Sequence, residues 1–121
     1  MSTATYIGEL EDWQKMLVHF RQENSMLKIR LSELVDKSVL ADFLKKAEYF
    51  HNELLANDES IRLIMDSVKY QYHNIKNGRN SIPEKVQEQR VKLKQTITMF
   101  NKRFTALNDQ FNAEMLSVPA R

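Results

Sequence analysis

Residues 10–34 read LEDWQKMLVHFRQENSMLKIRLSEL, and large apolar side chains return in it at alternating steps of three and four: Leu10, Trp13, Leu17, Phe20, Leu27, Leu31 and Leu34. Positions spaced this way share one face of an α-helix, whereas a strand would need apolar residues at every second position. Only Asn24 interrupts the stripe, and a single polar residue at such a position can fix register at a cost in stability. The pattern predicts a helix over about 5–35, ending at Asp36, Lys37 and Ser38, where the spacing slips and the Ser38 hydroxyl is placed to cap the next helix.

Working outward, a second stripe runs through Leu40, Phe43, Ala47, Phe50, Leu54, Asn57, Ile61, Ile64, Val68, Gln71 and Ile75. It predicts a helix over about 39–77, roughly 50 Å long at 1.5 Å per residue, stopped by Asn77 and a left-handed Gly78. Ser81-Ile82-Pro83-Glu84 then reads as a capping box with proline in the first turn, where its missing N–H removes no helical bond. The third helix is expected over about 82–116, with Val86, Arg90, Leu93, Ile97, Phe100, Phe104, Leu107, Phe111 and Met115 on its stripe.

Three such stripes in one chain bury each other if the chain folds back twice, and their levels match when it turns at Lys37 and at Arg79. Trp13 then falls beside Ile61 and Ile97, Phe20 beside Leu54 and Phe104, Leu27 beside Ala47 and Phe111, and Leu31 beside Phe43 and Met115. Large and small residues alternate in these layers, as interdigitated packing requires. Among the polar intruders, Asn24 is placed with Phe50 and Leu107, Asn57 with Leu17 and Phe100, and Arg90 with Tyr6 and Val68. The reading is an all-α, antiparallel three-helix bundle of long, heptad-patterned, coiled-coil-like helices, a single domain over 1–121.

A chain of 121 residues with two glycines, two prolines and no cysteine needs no disulfide and has no thiolate for zinc or redox chemistry. The start, MSTATYIGELEDW, lacks the basic and apolar runs of a secretory signal, and no stretch of about 18 apolar residues follows, so membrane insertion is not expected and a cytoplasmic location is. Charge is segregated: residues 1–60 carry seven basic and eleven acidic side chains, residues 61–121 eleven and five.

Catalytic candidates are sparse. Dimetal sites in helical bundles use two Glu-x-x-His pairs with further carboxylates, and only Glu48 with His51 has that spacing, off the core stripe. His19 and Glu23 lie one turn apart without a second pair. There is no nucleophile elbow and no glycine-rich phosphate loop, so neither an enzyme nor a metal or other cofactor is expected.

A binding candidate lies at the far end of the second hairpin, which the register places beyond the reach of the first helix. Basic and aromatic side chains interleave there: Lys69, Tyr70, Tyr72, His73, Lys76, Arg79, Lys85 and Arg90. Such a surface suits an acidic partner protein; the alternative is phosphate backbone or another anionic surface, held by charge with bases stacked on the rings. The expected function is therefore a non-catalytic interaction or scaffold module, as a monomer or homodimer, that binds another protein.

Overall fold

The computed structural model describes residues 1–38, 40–78 and 80–116. Three helices pack side by side, α1 over Thr3–Asp36, α2 over Ala41–Ile75 and α3 over Glu84–Phe111, and a wider π-type turn over Asn112–Leu116 continues the last. Their apolar stripes close into one core in which Tyr6, Leu10, Leu17, Phe50, Leu54, Ile61, Val68, Phe100, Phe111 and Met115 are almost wholly buried. Each such side chain contributes about 1.5–3 kcal/mol relative to exposure, which is what orders helices that would be marginal in isolation. The expected three-helix bundle is the observed architecture.

Aromatic rings set the spacing of the layers. Phe20 meets Phe104 at 5.1 Å and Phe100 at 5.4 Å between ring centres, Phe50 meets Phe111 edge-on at 5.3 Å, and Tyr6 stands edge-on to Trp13 at 6.3 Å. The Phe20–Phe104 level is the expected one. Around Asn24 the register differs by about one turn: instead of Phe50 it meets Leu54, donating from Nδ2 to the Leu54 carbonyl at 2.9 Å and to Asp58 Oδ1 at 2.7 Å. Its own Oδ1 accepts from Asn57 Nδ2 at 3.3 Å. The shift has a local cause, since α2 begins only at Ala41 and the turn is therefore centred later than Lys37.

The helix ends depart from the expected capping. Ser38 does not cap α2: Leu40 holds that position with no side-chain bond, and the Ser38 hydroxyl accepts from the Leu40 N–H at 3.3 Å. Leu40 itself leaves the core stripe and is 62% exposed. The Ser81–Glu84 capping box is not formed, because Pro83 takes the cap position of α3 while the Ser81 backbone bridges to Ser2. Gly78 is not left-handed either. A steric role remains for it: its N–H bonds the Ile75 carbonyl at 2.9 Å, and a Cβ there would lie 3.0 Å from that oxygen. The turn centre expected at Arg79 lies outside the described residues, as does Val39.

The first residues of the chain correct the expected overhang. Thr3 N–H donates to the Asn80 carbonyl at 2.9 Å and Ile82 N–H to the Met1 carbonyl at 3.3 Å, so residues 1–3 run along the loop between α2 and α3 and tie it down. Ser2 caps α1, accepting from the Thr5 N–H at 3.1 Å. Helix α1 thus reaches nearly to the end of the hairpin it was expected to fall short of.

Candidate functional site

The seven described tip residues do not form one surface. Lys69 and Tyr70 are adjacent in sequence and so point about 100° apart around the helix. Lys69 borders the groove between α1 and α2, whereas Tyr70 borders the groove between α2 and α3. Tyr72 is half-buried against the core, its ring edge-on to His73 at 5.8 Å, and His73, Lys76 and Lys85 are exposed. Arg79 lies outside the described residues.

Arg90 is drawn inward. Its Nε and Nη2 donate to Glu9 Oε1 and Oε2 at 2.6 and 2.9 Å, a two-pronged pair whose side chains keep 13% and 23% exposure. The bond to Glu9 raises the guanidinium pKa further above its ordinary value. Tyr6 lies beside the pair, and burial first, then the Glu9 carboxylate, push its hydroxyl up to about 12 despite the opposing pull of Arg90. The same hydroxyl donates a long bond of 3.5 Å to Gln71 Oε1, and Gln71 Nε2 donates to Gln89 Oε1 at 2.9 Å. Glu9, Tyr6, Arg90, Gln71 and Gln89 thus link all three helices through polar groups, so Arg90 belongs to the bundle's internal bonding and not to a binding surface. No sequence motif marks Glu9 as its partner.

The α1–α2 groove, about 380 Å³ in volume, is rich in charge, and most of that charge is already paired. Lys28 bridges to Asp58, and Arg62 reaches both Glu59 and Asp66 on its own helix. The hydrogen bond from Arg62 holds the Glu59 carboxyl below the ordinary carboxylate range. At the floor Met65, absent from the expected stripe, is 7% exposed, and Arg21 Nη1 stands 3.9 Å from its sulfur. Met65 flanks the stripe immediately after Ile64, and such a flank is covered where two helices approach closely, as α1 and α2 do here.

The α2–α3 groove is different in kind. Its upper part, about 620 Å³, is lined by Leu63, Ser67 and Tyr70 from α2 and by Gln89, Lys92 and Thr96 from α3. Its lower part, about 330 Å³, includes Lys46, Tyr49 and Gln110. On α2, Tyr49, Ala56, Leu63 and Tyr70 recur at heptad intervals, forming a second stripe beside the core stripe. On α3, Met99 lies one heptad beyond Lys92 in the same column. Tyr49, Leu63, Tyr70 and Met99 remain 45%, 52%, 63% and 64% exposed, large apolar side chains without cover among the described residues. The signal was present in the sequence, but the stronger core stripe beside it hid it, and only the packing of α2 against α3 shows that both helices turn these columns toward one groove.

Among the described residues no three histidine, aspartate or glutamate side chains converge as a metal site would require. The His19 ring stands 3.9 Å from Glu23, both on an exposed face, and Glu48 and His51 are exposed. No described helix is long and apolar enough to cross a membrane. Comparison with protein-family models, with curated proteins and with solved structures finds no match to this chain.

Proposed function

We propose that this protein is a non-catalytic helical-bundle module that binds another protein, and that the α2–α3 groove is its docking surface. The observation carrying this reading is the line of exposed Tyr49, Leu63 and Tyr70 along one groove, with the exposed Met99 one heptad from the groove-lining Lys92. Isolated apolar residues on a surface need no explanation, but an aligned set bordering a groove is the usual mark of an interface. Support also comes from the tip: with Arg90 held by Glu9, and with Lys69 and Tyr70 on different grooves, the described tip residues do not make the continuous basic-aromatic track that a nucleic-acid strand would follow.

The test is an affinity pull-down from the native cell with the wild-type chain and with a Leu63→Glu/Met99→Glu double variant. Both positions are more than half exposed, so the variant should unfold within a few degrees of wild type. Stoichiometric partner on the wild type and its loss on the variant is the expected outcome. Equal recovery on both would remove the groove from the function.

A further inference from the structure

We infer that the occupant of the α2–α3 groove is a single amphipathic helix with acidic flanks, contributed by another protein and completing a four-helix bundle. The inference rests on the reading of that groove as a protein-binding surface and adds the shape and charge of what fills it.

Shape comes first. The two antiparallel helices leave between them the place that a fourth helix takes in a bundle. From Tyr49 to Tyr70 the α2 column covers roughly 30 Å of helix axis, the length of about 20 residues of α-helix. Along it the exposed large residues are separated by small ones: Ala56, Ser60 and Ser67 on α2, Thr96 and Ala106 on α3. Alternation of large and small side chains lets the apolar ridge of an incoming helix settle between the walls instead of resting on their tips. A nucleic-acid strand would find only two rings, Tyr49 and Tyr70, at opposite ends of the column and a mainly aliphatic floor between them.

Charge comes second. Lys46 on α2 and Lys92 on α3 line the groove, and Lys85 and Arg103 lie one heptad from its lining residues Lys92 and Thr96. None of these four takes part in an ion pair among the described residues. Two carboxylates line the groove among the described residues: Asp66 is already engaged by Arg62, and Glu114 stands at the lower end with Lys45 and Lys46, so the lining lysines still outnumber the uncommitted acid. Rim cations left without partners match a helix whose floor-facing residues are apolar and whose flanks are Glu or Asp, the arrangement by which flanking charges select partners in helical assemblies. A second copy of this chain does not fit as well. Two such faces meeting antiparallel bring Lys85 and Lys92 of one toward Lys45 and Lys46 of the other, with Glu114 as the one lining carboxylate at that end to offset them, and meeting parallel they set Lys92 beside Lys92.

The experiment uses the full chain and two designed 25-residue helical peptides that share a Leu/Ala stripe and differ only in their flanks, Glu in one and Lys in the other. Binding is followed by fluorescence anisotropy at low and at physiological salt, and the surface is located by amide hydrogen exchange. The Glu-flanked helix should bind at least about ten-fold tighter than the Lys-flanked one, with the preference narrowing as salt is added. Protection should rise on α2 and α3 and not on the outer face of α1. Lys92→Glu/Arg103→Glu should invert the preference, and Leu63→Glu/Met99→Glu should abolish binding of both peptides.

Equal affinities, absence of binding by either peptide, or an uninverted preference in the charge-reversal variant would overturn the inference. So would a homodimer in light scattering that Leu63→Glu dissolves, which would assign the groove to a second copy. The two levels separate cleanly. A native partner lost on Leu63→Glu/Met99→Glu, but with no charge preference among peptides, refutes the acidic helix and leaves the groove. A native partner indifferent to that variant refutes the groove itself.

Discussion

Asn24 offers the sharpest test of how the bundle holds its register, because it is 0% exposed and yet polar. Its amide makes three bonds, to the Leu54 carbonyl, to Asp58 Oδ1 and from Asn57 Nδ2. None of these partners is stranded if Asn24 is removed. The Leu54 carbonyl keeps its helical bond inside α2, Asp58 keeps Lys28, and Asn57 is half-buried and can turn to water. Asn24→Ala forfeits two neutral bonds of about 1 kcal/mol each, one to a carboxylate of about 1.5–3 kcal/mol, and part of the packing around the lost amide. Relief from burying an amide offsets some of this, so the net loss is about 3 kcal/mol. Asn24→Leu loses the same bonds but refills the space and buries apolar surface worth about 1.5–3 kcal/mol, which leaves it within about 1 kcal/mol of wild type.

Urea unfolding followed by far-ultraviolet circular dichroism reads both variants. With a slope of about 1–3 kcal/mol per molar for a domain of this size, the alanine midpoint should fall by about 1–3 M while the leucine midpoint moves little. A leucine variant as unstable as the alanine one would refute the reasoning, since it would mean that hydrogen bonds, and not space filling, carry the stability at this level. Should leucine prove the more stable while its amide spectrum broadens, the role left to Asn24 is specifying one register among several.

Three further outcomes follow from the same structure. Tyr6 has its hydroxyl pushed up to about 12 by burial, above the unfolded value of about 10, so the stability linked to it is complete below pH 10 and is lost as pH rises toward 12; unfolding titrations in that window should show a steeper alkaline loss for wild type than for Tyr6→Phe. Arg90→Leu should cost about 2 kcal/mol by leaving the Glu9 carboxylate partly buried without its cation, and adding Glu9→Leu should recover part of that loss; a double-mutant cycle giving purely additive losses would contradict the pairing. Leu40→Ser should raise stability by about 1 kcal/mol, because an exposed leucine now occupies the uncapped N-terminus of α2, and thermal unfolding would show it as a higher midpoint.

The fold was legible in the sequence because burial in a helix leaves a period, and periods survive in a single chain without knowledge of partners. The three stripes from Leu10, Phe43 and Val86 onward, with polar breaks between them, are enough to dictate three helices and their inward faces. Cap chemistry was less legible, because Ser38 and Ser81 have more than one backbone group to bond. In the folded chain Ser38 turns to Leu40, and the backbone of Ser81 to Ser2, about two thirds of the sequence away.

Tertiary structure alone decided which polar residues were internal and which surface was left over. Arg90 sits in the sequence among tip cations, and only the approach of α1 brings Glu9 to it, converting a candidate ligand-binding group into an internal pair. The columns Tyr49–Tyr70 and Lys92–Met99 are separate, weak patterns on two helices until those helices pack antiparallel and turn both toward one groove. A helix's own period fixes which side it buries, because that depends only on spacing along one chain. Which of its remaining sides faces a neighbour, and which is left for a partner, depends on where the other helices come to rest.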